Sequence, residues 1–203
     1  MQEKDPASST EQRIEDRLGF LLEIEKLKRV MRKTMPPGLD RHENSAEHSW
    51  QVTLAALVLR EHANADIDID RVIRMLLVHD LGEIDAGDTI VYASQEPGVK
   101  EAELKGFKRV CSFLPAAQQE EFLALWMEFE TGDSMEAHYA RAIDRILPIP
   151  HNLNSNGYAW QKHGISHDRV LEVNAHVGKG SEDIWQVIKA RLDQAVKDGI
   201  LKQ

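Results

Sequence analysis

The pair His79-Asp80 is the part of this sequence whose residue types are best suited to chemistry. It closes a largely apolar run, Val72 to Val78, that is typical of a mostly buried helix. Buried polar groups must be hydrogen-bonded, paired or metal-bound, because an unpaired one is strongly destabilising. Histidine and aspartate are two different types of metal ligand. A divalent metal is therefore the partner that best explains both residues together.

Two further residues, His48 and Asp144, are candidate ligands because each lies in a stretch that is otherwise expected to be buried. With His79 and Asp80 they make two imidazoles and two carboxylates, which suit one divalent ion such as Mn, Co, Fe, Ni or Mg. A structural zinc site more typically uses cysteines, of which the chain has one. The alternative is a set of core polar residues satisfied by one another, which explains any single histidine better than it explains the joint set.

The elements that must position these residues are predicted to be helices. Apolar residues at helical spacing indicate an amphipathic helix from Glu11 to Arg32, which the segment Met35-Pro36-Pro37-Gly38 ends. Ser45 is the predicted cap of a second helix that reaches about His62. Later helices are predicted at about 71–80 (capped by Asp70), 99–113, 116–130, 134–147, 167–177 and 181–198.

The sequence predicts an all-α fold, because the only strand candidate is Thr89-Ile90-Val91-Tyr92. Pro148 and Pro150 are expected to end or kink the helix that carries Asp144. At 203 residues the chain is long enough for one sizeable core. We expect a flexible N-terminus at 1–10 and a single domain at 11–203, with its metal-site core at about 27–150 and C-terminal helices at about 166–199.

Composition argues against several classes of function. Lys+Arg 25 against Asp+Glu 34 gives a net charge of -9, which disfavours a binder of nucleic acid polymers. No apolar stretch approaches the roughly 18 residues that span a bilayer, and the polar N-terminus does not resemble a signal peptide. The one cysteine, Cys111, fits a reducing compartment, so we expect a cytoplasmic protein without a membrane partner.

One basic stretch departs from this acidic balance, since no acid interrupts it. Charge alone favours a solvated helix face. The alternative is a small patch that approaches a phosphate, and it requires these residues to neighbour the metal. The stretch contains Lys26, Lys28, Arg29, Arg32 and Lys33.

Four segments, taken in order, resemble the metal-binding pattern of HD-domain metal-dependent phosphohydrolases. The resemblance covers about residues 15–150 and is nearest to the small bacterial 5′-deoxynucleotidases and the similar eukaryotic HD-domain-containing proteins. It implies a compact helical HD-domain fold with the metal site between core helices, and one divalent metal held by His48, His79, Asp80 and Asp144. The segments are Glu43-Asn44-Ser45-Ala46-Glu47-His48-Ser49, Leu77-Val78-His79-Asp80-Leu81-Gly82-Glu83, Gly87-Asp88 and Ala142-Ile143-Asp144.

The resemblance also implies catalytic roles for Asp80 and Glu83. Asp80 matches a ligand that orients the attacking water, and Glu83 matches a glutamate implicated in positioning or deprotonating that water or in protonating the leaving group. Glu83 follows His79 by four residues, so a continuous helix would place both on one face. Gly82 makes that continuity an open question, and an ordinary exposed acid at a helix end is the alternative.

Substrate-binding residues are implied in the same way. Arg32 matches a phosphate-contacting arginine, and Asp88 and Thr89 match a loop that touches the substrate. Asp88 is alternatively a turn-forming aspartate after glycine. Lys33 stands where the bacterial deoxynucleotidases have an aromatic residue that helps to orient the substrate. This difference leaves open which phosphate ester is the substrate.

Other basic residues have weaker predictions. Arg41 is either a second phosphate contact or a partner that orients Glu43 or Glu47. Six histidines are interpreted as ordinary surface or helix-end residues: His62, His138, His151, His163, His167 and His176.

These features predict a divalent-metal-dependent phosphomonoesterase that hydrolyses nucleoside 5′-monophosphates, with 2′-deoxyribonucleotides expected from the resemblance. One alternative is an HD hydrolase of another small phosphate ester or a phosphodiester, and another is a non-catalytic metal- or nucleotide-binding module. A small-molecule substrate and a homodimer are expected. Apolar positions of the C-terminal helices are the candidate interface, or alternatively core: Trp160, Val170, Val173, Val177, Ile184, Trp185, Val187 and Ile188.

Overall fold

The computed structural model describes residues 9–89 and 98–203. It confirms the all-α prediction: these residues contain no strand, only the isolated bridges Met31–Asn44 and Ser166–Lys202. The candidate strand at 89–92 and the predicted flexible N-terminus lie almost entirely outside the described residues. The described α-helices are α1 (Thr10–Ile24), α2 (Ser45–Val58), α3 (Ile69–Val78), α4 (Glu83–Ala86), α5 (Val99–Cys111), α6 (Ala116–Thr131), α7 (Met135–Ile146), α8 (Pro148–Asn154), α9 (Tyr158–His163), α10 (His167–Asn174), α11 (Val177–Gly180) and α12 (Glu182–Lys197), with 3-10 helices at Glu25–Arg29 and Arg60–His62.

The first helix is shorter than predicted. α1 ends at Ile24, and the 3-10 helix that follows ends at Arg29. The next residues pair with the segment before α2: the Arg32 N–H donates to the Glu43 carbonyl at 2.8 Å, and the Glu43 N–H donates to the Thr34 carbonyl at 3.2 Å. Backbone groups engaged in this way cannot also form a helical ladder. The predicted helix to Arg32 is therefore wrong, and Arg32 lies on an extended segment.

Helix α2 begins with a capping box in which Asn44, not the predicted Ser45, is the cap. The Asn44 side chain accepts from the Glu47 N–H at 2.9 Å, and the Glu47 carboxylate accepts from the Asn44 N–H at 3.2 Å. Two helix-end donors are thereby satisfied. Ser45 is the first helical residue, and its N–H donates to the Val30 carbonyl at 3.0 Å. Its hydroxyl is therefore available to a partner other than its own helix end.

The turn between α3 and α4 packs unusually closely against α5. α3 ends at Val78 and α4 begins at Glu83, so the helix is not continuous between them. The Glu83 N–H still donates to the Asp80 carbonyl at 3.0 Å, as in a tight helical turn. A Cβ at Gly82 would lie 2.4 Å from the Glu103 carbonyl oxygen. Glycine is thus required where α5 crosses this turn.

Other boundaries differ from the predictions in detail. Asp68 caps α3 in place of the predicted Asp70. Pro148 ends the helix that carries the last candidate ligand, as predicted, because α7 stops at Ile146 and Pro148 opens α8. Helices α8 and α9 lie in a segment with no predicted element, because its prolines, asparagines and glycines are typical of turns.

The core is built mainly around α3 and α7, and the C-terminal helices pack onto it. Close packing of α11 on α7 requires Gly180, where a Cβ would lie 2.4 Å from the His138 carbonyl oxygen. Among the described helices, none combines the length and apolar character that crossing a bilayer requires. Val187 is exposed, but most residues of the candidate dimer interface are core, which was the alternative for them: Trp160, Val170, Val177, Ile184, Trp185 and Ile188.

Candidate metal centre

The His79-Asp80 pair lies in the turn after α3, with both side chains buried. His79 Nδ1 lies 2.8 Å from the Leu76 carbonyl oxygen. In the neutral imidazole this nitrogen must donate, so Nε2 presents the lone pair. Nε2 is buried without a hydrogen-bond partner and lies 3.1 Å from Asp80 Oδ1. A backbone carbonyl therefore holds His79 in the orientation that a metal ligand needs.

His48 and Asp144 adjoin this pair from two other helices. His48, in the first turn of α2, places Nε2 2.8 Å from Asp144 Oδ1, and the same oxygen lies 3.6 Å from His79 Nε2. Ligand atoms of His48, His79 and Asp80 lie within 4.8 Å of one another. The structure thus brings the four predicted ligands together.

The buried negative charge of this cluster favours a bound cation. Burial alone would lower the pKa of His79, but Asp80 and Asp144 outweigh it and raise that pKa to about 9. Burial alone would raise the pKa of Asp144, yet the hydrogen bond with His48 and the nearby His79 imidazole hold that pKa well below its usual value. A proton on His79 offsets the carboxylate charge here, and a bound divalent ion would take over that role. The buried, mixed N/O donor set therefore fits a divalent metal.

Glu83 is a buried acid of the same pocket and not an exposed residue of a helix end. Its Oε2 accepts a 2.6 Å hydrogen bond from the Ser45 hydroxyl. Burial, followed by the negative charge of Asp80, raises the pKa of Glu83 well above the usual value, and Arg32 offsets part of this rise. A carboxylate with a raised pKa is a stronger base toward a nearby water molecule.

Arg32 lines the pocket beside the ligands, with its side chain 13% exposed. Its Nη1 lies 3.0 Å from Asp80 Oδ2, 3.7 Å from Asp88 Oδ1 and 4.0 Å from Glu83 Oε1. Burial alone would lower the pKa of Arg32, but these carboxylates raise it. The guanidinium is therefore a permanent positive charge at the edge of the metal cluster.

The basic stretch contains residues that fit each of its two interpretations, a solvated surface and a phosphate-binding patch. Lys26 and Lys28 form ion pairs with glutamates three residues earlier, as expected of a solvated surface. Arg32 and Lys33 line the pocket. Arg41 makes two bonds to the Glu47 carboxylate, at 2.6 and 2.9 Å, so it takes the partner that was its alternative prediction.

The other predicted substrate residues also line the pocket. Gly87 has a φ of +77°, a left-handed conformation open to glycine, and the chain continues through Asp88 and Thr89 along the pocket wall. The Asp88 side chain is buried, and burial raises its pKa while Arg32 lowers it. Lys33 is exposed. The structure thus gathers Arg32, Lys33, Asp88 and Thr89 around one opening.

Glu43 is a candidate site residue to which the sequence assigned no role beyond a possible partner of Arg41. It is 2% exposed, and its Oε2 accepts from the Thr34 hydroxyl at 3.2 Å. The same oxygen lies 3.6 Å from His48 Nδ1 and 3.7 Å from Arg32 Nε. One buried carboxylate therefore orients a candidate metal ligand and a candidate phosphate ligand together. The signal in the sequence was its place at the start of the family-like segment that contains His48.

The pocket has a second wall that was also missed, built by the chain after Asp144. His151 in this region is 4% exposed, so its interpretation as a surface or helix-end residue is wrong. The short helices there bury it, and they could not be predicted from a segment rich in turn-forming residues. The wall includes Arg145, Pro148, Ile149, Asn152, Ala159, Trp160 and Asn174.

Comparison with known proteins places this site in a family. The model of the HD domain matches residues 24–185. The 5′-deoxynucleotidase HDDC2 of Bos taurus is 33% identical over 136 residues, and that of Homo sapiens is 30% identical over 135 residues. Each match covers 65% of this chain and 64% of the relative. The chain thus spans just under two thirds of these relatives' length.

Solved structures agree with this relationship. A predicted metal-dependent phosphohydrolase from Magnetospirillum magnetotacticum MS-1 superposes with a TM-score of 0.88 at 37% identity, covering 95% of this chain and all of that one. The PH0347 protein from Pyrococcus horikoshii OT3 superposes with a TM-score of 0.61 at 26% identity, covering 86% of this chain and 99% of that one.

Proposed function

Since the chain belongs to the HD domain family, we propose that it is a divalent-metal-dependent phosphomonoesterase that hydrolyses nucleoside 5′-monophosphates to nucleoside and phosphate. The observation that carries this proposal is one pocket lined by three of the candidate ligands, by the buried acid Glu83 and by Arg32. The fourth candidate ligand, His48, lies 2.8 Å from Asp144 Oδ1, and its ligand atom lies within 4.8 Å of those of His79 and Asp80. Phosphoryl transfer to water needs these three kinds of group, because charge develops on the phosphoryl oxygens while the nucleophile loses a proton.

His48, His79, Asp80 and Asp144 would hold the metal. A bound divalent ion supplies Lewis-acid polarisation of a phosphoryl oxygen and lowers the pKa of a water molecule. In this proposal the Asp80 carboxylate also orients the attacking water.

The proton and the phosphate charge are assigned to other side chains. Glu83 Oε1 takes the proton of the attacking water, while Oε2 remains bonded to the Ser45 hydroxyl at 2.6 Å. Arg32 donates to the phosphoryl oxygens, for which a planar guanidinium is well matched. Attack on phosphorus then breaks the bond to the nucleoside oxygen, and Glu83 passes the proton taken from water to that oxygen, so that nucleoside and phosphate are released.

A 2′-deoxyribonucleotide is the proposed substrate within this class. Three relatives at 30% identity or more carry the name 5′-deoxynucleotidase. Asp88 supports a sugar-contacting role, since its buried carboxylate lies 3.7 Å from Arg32 Nη1 and so next to the phosphate position. Lys33 on the pocket wall supports the second candidate, an HD hydrolase of another small phosphate ester or of a phosphodiester. A non-catalytic binding module is the least supported alternative, because the chain keeps all four candidate metal ligands and also Glu83.

The test is phosphate release from a panel of deoxyribo- and ribonucleoside monophosphates and simple esters, with several divalent metals. Wild type is expected to release phosphate fastest from deoxynucleoside monophosphates, and Asp80→Ala is expected to lose all activity. Asp66→Ala, an exposed loop aspartate, is the matched control and should behave as wild type. Full activity of Asp80→Ala would contradict the whole assignment, and slow turnover of deoxynucleotides relative to other esters would favour the second candidate.

A cytoplasmic location and a homodimer remain predictions. The dimer is checked by light scattering of the purified protein, which should report about twice the 23.1 kDa mass of one chain.

A further inference from the structure

The cations that line the pocket differ in how far their charge is already balanced. Arg32 has four carboxylates within 4.0 Å. Lys100 is paired with two glutamates at 2.7 and 3.0 Å. Lys33 is exposed. The fourth cation is Arg145, which comes directly after the metal-ligand candidate Asp144.

Arg145 lies next to a candidate ligand and has few carboxylate partners compared with Arg32. Its Nε lies 3.5 Å from Asp144 Oδ2, and this is the one ion pair it makes within residues 9–89 and 98–203. The other oxygen, Asp144 Oδ1, is the one that adjoins His48 and His79. The Arg145 guanidinium therefore lies outside the ligand cluster but against it. Its side chain is 31% exposed, so an anion in the pocket can reach it.

Charge balance shows why this arginine matters. Six carboxylates and four cationic side chains line the pocket, so the lining has a net charge of -2 when all of them are ionised. A divalent ion brings this lining to neutrality, and removal of Arg145 would leave it negative. A phosphate monoester carries nearly two negative charges at neutral pH, whereas a diester carries one. Loss of one cation therefore penalises a monoester more than a diester.

We propose that Arg145 is a second phosphate-binding residue, and that together with Arg32 it selects dianionic phosphate monoesters over monoanionic diesters. This inference rests on the proposed phosphohydrolase function and names the substrate class within it. Arg32 contacts the phosphate from the Asp80 side of the cluster, and Arg145 contacts it from the Asp144 side. Two guanidinium groups offer paired donors to different phosphoryl oxygens, which a single lysine could not do.

A purely structural role for Arg145 predicts different results. Arg145 lies in the last turn of α7, where a cation stabilises the negative end of the helix dipole. It also adjoins Asp144, so it could simply hold that ligand in place. In either case its removal would weaken metal binding or stability and would leave the preference between monoester and diester unchanged.

The experiment compares wild type, Arg145→Gln and Arg145→Lys, each as the full chain loaded with Mn²⁺. Steady-state kinetics use a deoxynucleoside 5′-monophosphate and bis(p-nitrophenyl) phosphate, and inorganic phosphate is tested as an inhibitor and by calorimetry. Arg145→Gln should raise KM for the monoester and Ki for phosphate about 10- to 100-fold, the usual range for a charged hydrogen bond. The diester constants should change less than about threefold, and Arg145→Lys should recover part of the phosphate affinity because it keeps the charge.

Calorimetric Mn²⁺ affinity and thermal melting distinguish a phosphate-binding role of Arg145 from a structural one. Both measurements should match wild type in Arg145→Lys. Lys179→Gln, which removes an exposed cation of the adjoining groove, is the matched control and should leave the phosphate Ki unchanged. An unchanged phosphate Ki in Arg145→Gln, or an equal loss for monoester and diester, would overturn the proposal. Phosphate binding that needs Arg145 in a protein without phosphatase activity would instead contradict the proposed function and keep this assignment.

Discussion

At the scale of single residues, the Glu83 carboxylate is the group best suited to move a proton. Glu83→Gln keeps the size and the hydrogen bond from Ser45 but cannot accept a proton. We expect kcat to fall by about 10²- to 10⁴-fold, the usual contribution of general acid–base catalysis. Metal affinity should stay close to wild type, because Glu83 is not one of the four candidate ligands. Steady-state kinetics and metal titration measure the two effects separately.

The control for this variant is Ser45→Ala, which removes only the 2.6 Å hydrogen bond to Glu83. Its loss of kcat should be much smaller, because the carboxylate remains. Wild-type kcat in Glu83→Gln would rule out a proton-transfer role, and loss of metal from it would point to a ligand role.

Glu43 offers a second test at this scale, because it contacts His48 and Arg32 but is not itself a candidate metal ligand. Glu43→Gln replaces the charge that faces His48 Nδ1 at 3.6 Å. We expect metal affinity to fall about 10- to 100-fold, as is usual when a partner of a ligating histidine is changed. Calorimetric titration measures this loss. Glu61→Gln, a surface variant, is the control and should bind metal normally.

These residues show how far the sequence allowed prediction. His79 and Asp80 could be found because a polar pair at the end of an apolar helix needs a partner, and the resemblance supplied the rest of the ligand set. Glu43 and Arg145 could not, since each is an ordinary charged residue until the fold sets it 3.5 to 3.7 Å from its partner. Contacts between elements leave no periodic signal along the chain.

At the scale of elements, the close approach of α4 and α5 holds Glu83 in place. Gly82→Ala would put a Cβ 2.4 Å from the Glu103 carbonyl oxygen, which is backbone and cannot rotate away. We expect a loss of about 1–3 kcal/mol in the free energy of unfolding, the usual effect of overpacking, together with a lower kcat. Denaturant titration and kinetics check the two results.

Gly19→Ala is the matched control for this prediction. Gly19 lies within α1, and its added Cβ would make an ordinary contact, 3.6 Å from Phe113. Stability should therefore rise by about 0.4–1 kcal/mol, because alanine restricts the unfolded chain more than glycine does. A Gly82→Ala protein as stable as this control would contradict the tight crossing.

Element prediction succeeded where a long apolar periodicity was present and failed where partners decided the structure. The helices observed as Val99–Cys111, Ala116–Thr131 and Glu182–Lys197 lie within two residues of their predicted ends. The helix predicted through Arg32 was wrong because the backbone there pairs with Glu43 and Asn44, which lie beyond the reach of a helical turn. No local propensity reports such a pairing.

At the scale of the whole molecule, the metal ligands join three parts of the fold: α2, the turn after α3, and α7. Metal should therefore bind the folded chain and not the unfolded one, and stabilise it. With Mn²⁺ at 100 times its dissociation constant, we expect about 2.7 kcal/mol of stabilisation over chelator-treated protein. Thermal melting of Asp144→Ala should show no such shift. An unchanged melting temperature of wild type on metal addition would contradict the site.

The pairing of residues 32–34 with Glu43 has a consequence for which nearby residues can change. Arg32 and the start of α2 are fixed to each other by main-chain bonds, and these bonds do not depend on which side chains lie between them. The intervening residues 35–42 can therefore vary in length and type while the metal and phosphate positions stay in register. None of residues 35–42 lines the pocket, so this loop can be changed without moving Arg32 away from the ligand cluster.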